Sequence, residues 1–347
     1  MASLRNGYVD FVKKNRSIEQ AERVFQQRLD DAKEIFAEFS DAFEMRPCPV
    51  CGHEGFTNLD SFHGTYGVAQ CQQCTSQYVN PCPSLDALAH YYNHCECNAQ
   101  LGEIFRSRVK AGSIILTERS AYVAGLIEEL LARGKPIKVL ELGCSSGAFL
   151  SELGDVLTSK GLADRVELSG VDIDAEAVKR SVDPELSLHT DSAEGFAANN
   201  RSTFDLVMHF ELLEHLIDPL SFMRAVCSML NDGGYCHFHT PNANGFDNSA
   251  LGYNDFRPLA HGIFPPMHLQ AFTPQNILHF ILRADFKLLQ LDTPGNFDVD
   301  IVKRFHERTE SSEFSFIEEF SEEQLGVVQG WLKRLYGSSH MRCTVTK

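Results

Sequence analysis

From Lys138 to its end the chain alternates strand and helix patterns, and no other feature of the 347 residues limits the fold as strongly. Strand candidates occur at Lys138 to Leu142, Val166 to Val171, Leu186 to Thr190, Phe204 to His209, Tyr235 to Thr240 and Phe286 to Leu291, and a last one, Met341 to Thr346, closes the chain. Strands separated from one another by helical or loop sequence in this alternation predict a parallel sheet with helices on both faces. The expectation is an α/β fold with a doubly wound sheet of seven strands. The residues between the Phe286 run and the last strand include Phe316 to Leu335, which reads as helix, so a helical insertion or cap is expected at about 294–339.

The N-terminal third reads differently. Ile18, Ala21, Phe25, Leu29, Ala32, Phe36, Phe39 and Phe43 recur in helical steps and mark the seam of an amphipathic helix within residues 1–46, ended by Arg46-Pro47. Such a seam packs on its own protein or on a second copy, so a homodimer through this helix is left open. Of eleven cysteines, Cys48, Cys51, Cys71 and Cys74 form two Cys-x-x-Cys pairs with nineteen residues between them. That spacing predicts a closed, structural Zn²⁺ knuckle in a small zinc-ribbon-like module at 47–98, with Gly52 serving the first turn. Pro81-Cys82-Pro83 reads as its linker, followed by a helix from Ser84 to Tyr92. His90, His94, Cys95 and Cys97 are too irregular for a second site of equal standing.

The cofactor chemistry is expected where the Val139 run meets a glycine turn: Glu141-Leu-Gly143-Cys144-Ser145-Ser146-Gly147, then a helix. Backbone at such a turn can approach a ligand closely at the carboxyl end of the strand. The next strand ends Gly170-Val-Asp172-Ile-Asp174, which puts a carboxylate where a ribose diol is gripped. These residues, with Asp191-Ser192 after the third strand and Phe204-Asp-Leu-Val-Met-His-Phe-Glu-Leu-Leu-Glu-His215 around the fourth, resemble the class I S-adenosylmethionine-dependent methyltransferases, which have a Rossmann-like sheet. The resemblance covers about residues 105–292 and the terminal strand, and the methyltransferase domain is expected at 99–347. It implies that Glu141, Gly143, Ser145 and Gly147, with Cys144 in the same turn, hold the methionine part of the cofactor. Asp172 would hold the ribose, Ile173 would lie against the adenine, and Asp191 and Ser192 would read its edge. His209, on the fourth strand, is counted with them.

Methyl transfer needs an aligned nucleophile and a place for its proton. His215, His268 and Glu211 are the catalytic candidates, with His237, His239 and His261 in the same half of the domain. Steps of three and four would set Glu211, Glu214 and His215 on one helical face. Their Glu-x-x-Glu-His pattern is similar to the divalent-metal motif of ubiquinone-pathway and small-RNA methyltransferases, with His268 as a later ligand. The pattern is also common in metal-free members, and catalytic Mg²⁺ is the less favoured reading. The N-terminal knuckle is similar to that of bacterial sugar, polysaccharide and natural-product methyltransferases. O-methylation of a small molecule or a glycan or nucleotide-sugar precursor is therefore expected first, with an RNA-modifying enzyme or a non-catalytic binding protein of the same fold as alternatives. The formal charge of −16 and the absence of lysine and arginine from Cys48 to Asn80 argue against nucleic acid. No apolar run is long enough to span a membrane and the first residues lack a secretory core, so a cytoplasmic protein is expected.

Overall fold

The computed structural model describes residues 18–97, 114–253, 262–309 and 312–347. The seven expected strands form one sheet: β4 (Ile137–Leu142), β5 (Val166–Asp172), β6 (Ser187–Thr190), β7 (Phe204–Phe210), β8 (Leu230–Pro241), β10 (Lys287–Asp292) and β11 (His340–Thr346). Their order is β10-β11-β8-β7-β4-β5-β6. All neighbours are parallel except β11, which runs antiparallel to both β8 and β10. The chain order reverses beside β4, so the ends of β4, β5 and β7 frame the crevice where doubly wound sheets take ligands.

Alternation along each strand divides the core into two layers. Val139, Leu206 and Met208 pack under α3 (Ile114–Leu131) and α4 (Ala148–Ser159), with Val123, Ile127, Phe149 and Leu153. Leu140, Val207, Phe238 and Val345 face the opposite layer, which holds α7 (Pro219–Met229) and α9 (Asn276–Arg283), with Phe222, Val226, Ile277 and Phe280. Between β10 and β11 the chain forms α10 (Asp298–Thr309), a 3₁₀ segment and α11 (Glu322–Arg334), which share a small core of Val299, Val302, Ile317 and Leu325 with Leu251.

The N-terminal region corrects several expectations. Helix α1 (Ile18–Phe39) ends well before Arg46-Pro47, in one 3₁₀ turn at Ser40–Ala42. Its seam, including Phe25, Leu29, Ala32 and Phe36, packs with Phe62, Tyr66, Val68 and Phe264, so the face offered to a second copy is covered by this chain itself. Tyr66 seals the contact by donating to the Ala32 carbonyl at 2.8 Å. The segment 47–98 shares a sheet with the domain that follows. Strands β1 (Phe56–Phe62), β2 (Tyr66–Cys71) and β3 (Gln77–Val79) are antiparallel, and β3 pairs with β9 (Gln270–Ala271). Arg46 donates to the carbonyls of Ile217 and Leu269. The expected linker is also packed: Cys82 is buried and bridges to Glu44. Helix α2 (Leu85–His94) then starts at Ser84, whose side chain accepts from the Ala87 amide. Among the described residues no helix is long and apolar enough to cross a membrane.

Candidate functional site

At the tip of β4 the backbone of Gly143 and Cys144 donates to the Val171 carbonyl, folding the glycine turn against β5. Gly147, with φ of 77°, opens α4, and a Cβ there would be strained by that φ and would sit 2.8 Å from the Leu186 side chain, so glycine is favoured. Asp172 bonds this turn directly. One carboxylate oxygen accepts from the Ser145 amide at 2.7 Å and the other from the Asp174 amide at 2.8 Å. A carboxylate has about four acceptor positions, so it retains capacity for a diol. Ile173 beside it is 78% exposed, a bare aliphatic surface at the strand tip. The Asp191 amide donates to the Asp172 carbonyl, which brings the third strand end alongside. Ser192, expected at the adenine edge, has its hydroxyl engaged as the cap of α6 (Ala193–Asn199), where it accepts from the Gly195 amide.

Two of the expected contacts turn inward. The Cys144 side chain is buried among the α3–α4 core residues, so only its backbone belongs to the turn. His209 is fully buried, stacked on Phe238 at 5.0 Å and edge-on to Phe222, with no partner on either nitrogen. Burial pushes it down to about 3 and leaves it a neutral core residue outside the crevice.

Glu141 is buried at the end of β4 with one oxygen unpartnered. Burial raises its carboxyl to about 8, opposed by the Arg119 charge and reinforced by Asp172. Arg119, from α3, lies with its guanidinium 4.1 Å from the Phe210 ring centroid. The Arg119 charge acts on the Glu141 carboxyl at the end of the glycine strand, and an acid with a guanidinium is the complement of an α-amino acid's ammonium and carboxylate.

Beyond β7 the structure departs from the expected helical face. Glu211 has a left-handed φ of 51°, and its amide is bonded to the His239 carbonyl on β8. The chain therefore cannot enter an α-helix there, and Leu213–His215 forms a single 3₁₀ turn. Glu211 instead pairs with His340 at 3.4 Å. Despite the cost of burial, the Glu211 carboxylate holds the His340 imidazole up at about 9. Glu214 and His215 turn toward His268, and one ligand atom from each of the three lies within 4.8 Å of the others. Glu214 is fully buried; one oxygen accepts from Thr240 at 3.0 Å, and the other has no hydrogen-bond partner. His215 and His268 meet perpendicularly at 4.7 Å, and Tyr92 is 3.1 Å from His215 Nδ1. Burial lowers His215 to about 4, so the ring is neutral near pH 7. His237 and His239 are held neutral by burial as well, and His261 lies outside the described residues.

The four knuckle cysteines converge, with Cys48 and Cys74 sulfurs 3.6 Å apart and those of Cys51 and Cys71 3.5 Å apart. A Zn²⁺ tetrahedron with sulfurs at ~2.3 Å has edges of about 3.8 Å, so the donor set fits. Gly52 and Thr75, each following the second cysteine of a pair, both take left-handed φ. His90, His94, Cys95 and Cys97 do not gather with them. Cys97 turns to Tyr91 and Asp31, and among the described residues only the knuckle and the Glu214 group could hold a metal ion.

A family model described as a methyltransferase domain matches residues 115–291. The chain belongs to this methyltransferase family. Among curated relatives it is 34% identical to the ubiquinone biosynthesis O-methyltransferase of Thiobacillus denitrificans over 31% of this chain and 45% of that protein. It is 38% identical to the enzyme of that name from Azoarcus sp. over the same shares. The match thus spans less than half of these relatives' length. Of solved structures, a SAM-dependent methyltransferase from Archaeoglobus fulgidus aligns with 70% of this chain and 99% of its own at 19% identity and a TM-score of 0.44. The plantazolicin methyltransferase BamL, solved with SAH, aligns with 74% and 93% at 16% and 0.48.

Three residues of this methyltransferase's candidate site escape a reading of the sequence. Arg119 lies on a helix with no motif around it, His340 opens the last strand, and Tyr92 comes from the N-terminal module. Each reaches the crevice only through tertiary packing. The Arg119-x-x-Tyr122 step, one face of a helix placed before the glycine strand, is the one local signal that could have flagged any of them.

Proposed function

We propose that this chain transfers a methyl group from S-adenosylmethionine to an oxygen of a small molecule, or of a glycan or nucleotide-sugar precursor, and that its knuckle holds a structural Zn²⁺. One observation carries the cofactor assignment: the ends of adjacent strands β4 and β5 present Glu141 with Arg119, Asp172, and bare Ile173. In that order they suit an amino-acid zwitterion, a ribose diol and a flat base. Asp191 stands beside Asp172 for the edge of the base, and Gly143, Ser145 and Gly147 supply close backbone.

The acceptor side rests on Glu214, His215 and His268. The neutral His215 imidazole offers a lone pair to a proton or to a cation. The unpartnered oxygen of buried Glu214, 4.0 Å from His215 Nε2 in a group that converges on His268, favours a divalent cation at these three residues over a metal-free site. Bound there, such an ion would acidify an acceptor hydroxyl. Glu211, engaged with His340, is assigned to shaping the pocket. The acidic charge and the lysine- and arginine-free knuckle keep RNA a poor acceptor.

Calorimetric titration with S-adenosylmethionine, followed by radiolabelled methyl transfer to a panel of phenols, catechols and sugar nucleotides with and without chelator, tests the proposal. Absence of cofactor binding would remove the enzyme, and full turnover with only the knuckle zinc left would remove the second metal.

A further inference from the structure

The acceptor-side histidines are held from outside the methyltransferase domain. Helix α2 belongs to the zinc module, and two neighbouring tyrosines in its last turns face different ways, because consecutive helical residues point about 100° apart. Tyr91 is fully buried, with its hydroxyl 3.3 Å from Cys97 Sγ. That anchor fixes the rotation of the helix and turns Tyr92 toward the crevice, where its hydroxyl lies 3.1 Å from His215 Nδ1. From behind, α1 contributes Arg28, stacked 3.8 Å from the centre of the Phe264 ring and 3.9 Å from Met267 Sδ. The turn that carries His268 is thereby backed by the N-terminal helix that precedes the module.

Nε2 is the nitrogen that faces Glu214, at 4.0 Å, and when Nδ1–H donates to the Tyr92 oxygen Nε2 keeps the lone pair that an acceptor proton or a cation requires. We infer that Tyr92 is a positioning residue for His215, holding its ring orientation, and that the zinc module is thereby a working part of the methyl-transfer centre as well as a folding unit. This rests on the role proposed above for His215.

The test uses the full chain, zinc-loaded and labelled with ¹⁵N-histidine. Long-range proton–nitrogen spectra identify the His215 ring nitrogens by their loss in His215→Gln, and Mn²⁺, titrated by electron paramagnetic resonance, probes the Glu214 group. Tyr92→Phe keeps the ring and removes only the hydroxyl. It should shift both His215 nitrogen resonances and weaken Mn²⁺ binding about tenfold, the usual cost of losing a partner that orients a ligand histidine. Zinc content and the His237 signals, whose Nδ1 is held by Thr344, should stay unchanged. Unmoved His215 resonances would overturn the contact. Moved resonances with unaltered Mn²⁺ affinity would overturn the positioning role where His215→Gln abolishes binding. The same result with binding intact in His215→Gln would show instead that the underlying reading of His215 had failed, and the inference with it.

Discussion

Glu141→Gln should make the cofactor-free protein more stable and its cofactor complex weaker. The Glu141 carboxyl is buried, one oxygen has no partner, and its ionisation is moved from an ordinary 4.5 to about 8, chiefly by burial. Between these values the folded chain binds a proton that the unfolded chain has released, so stability falls as pH rises from about 4.5 and levels off above about 8. At about 1.4 kcal/mol per pH unit, the interval sets a ceiling of ~5 kcal/mol, and water entering an open crevice reduces the realised cost to about 2 kcal/mol. Glutamine never ionises and escapes this loss. Urea unfolding of both proteins at pH 5 and pH 9 should give matching midpoints at the lower pH and a Glu141→Gln advantage of about 1–3 kcal/mol at the higher, with equal m-values. The same substitution removes a charge-assisted bond to the cofactor's ammonium, worth about 1.5–3 kcal/mol, and should weaken S-adenosylmethionine binding roughly 10- to 150-fold by calorimetry. A stability difference that does not change with pH would refute the buried ionisation. Undiminished affinity would refute the assignment of Glu141 to the cofactor.

Asp172→Ala should weaken cofactor binding by about 1–3 kcal/mol, because it removes the ribose acceptor and frees the Ser145 amide that orders the glycine turn. An unchanged dissociation constant would contradict the placement of the ribose. Arg119→Met should weaken S-adenosylmethionine about tenfold or more while leaving adenosine binding as it was, since only the former carries a carboxylate; equal losses for both would mean that the arginine acts on the fold instead. Cys71→Ser should lower zinc stoichiometry from one and the melting temperature with it, because thiolate ligands close the knuckle. Retained zinc would count against the four-thiolate site.

Some of this protein was written locally. The central strands are legible because strands buried on both faces read as short apolar stretches, as at Val139-Leu140 and Leu206–Met208, and because helical sequence separates them. The knuckle is legible because each Cys-x-x-Cys turn is a short-range structure followed by a left-handed residue. Asp172 and the glycine turn are legible because the ends of adjacent parallel strands bring sequence neighbours of those strands to one edge. The Glu211–His215 segment shows where such reasoning stops. Its spacing suits one helical face, yet the bond of the Glu211 amide to β8 sends Glu211 to His340 and only Glu214 and His215 to His268.

The sequence by itself determined the doubly wound sheet, the gathering of the four knuckle cysteines and the placing of the glycine turn and Asp172 at neighbouring strand ends, all of them products of local periodicity or short turns. Tertiary structure alone decided that the N-terminal seam is satisfied within the chain, that the cysteine-knuckle segment and the methyltransferase domain share a sheet, and that Arg119, His340 and Tyr92 meet Phe210, Glu211 and His215. A side chain brought to a site from a distant element carries no periodic signal of its destination, since its position is fixed by the packing of whole helices and strands.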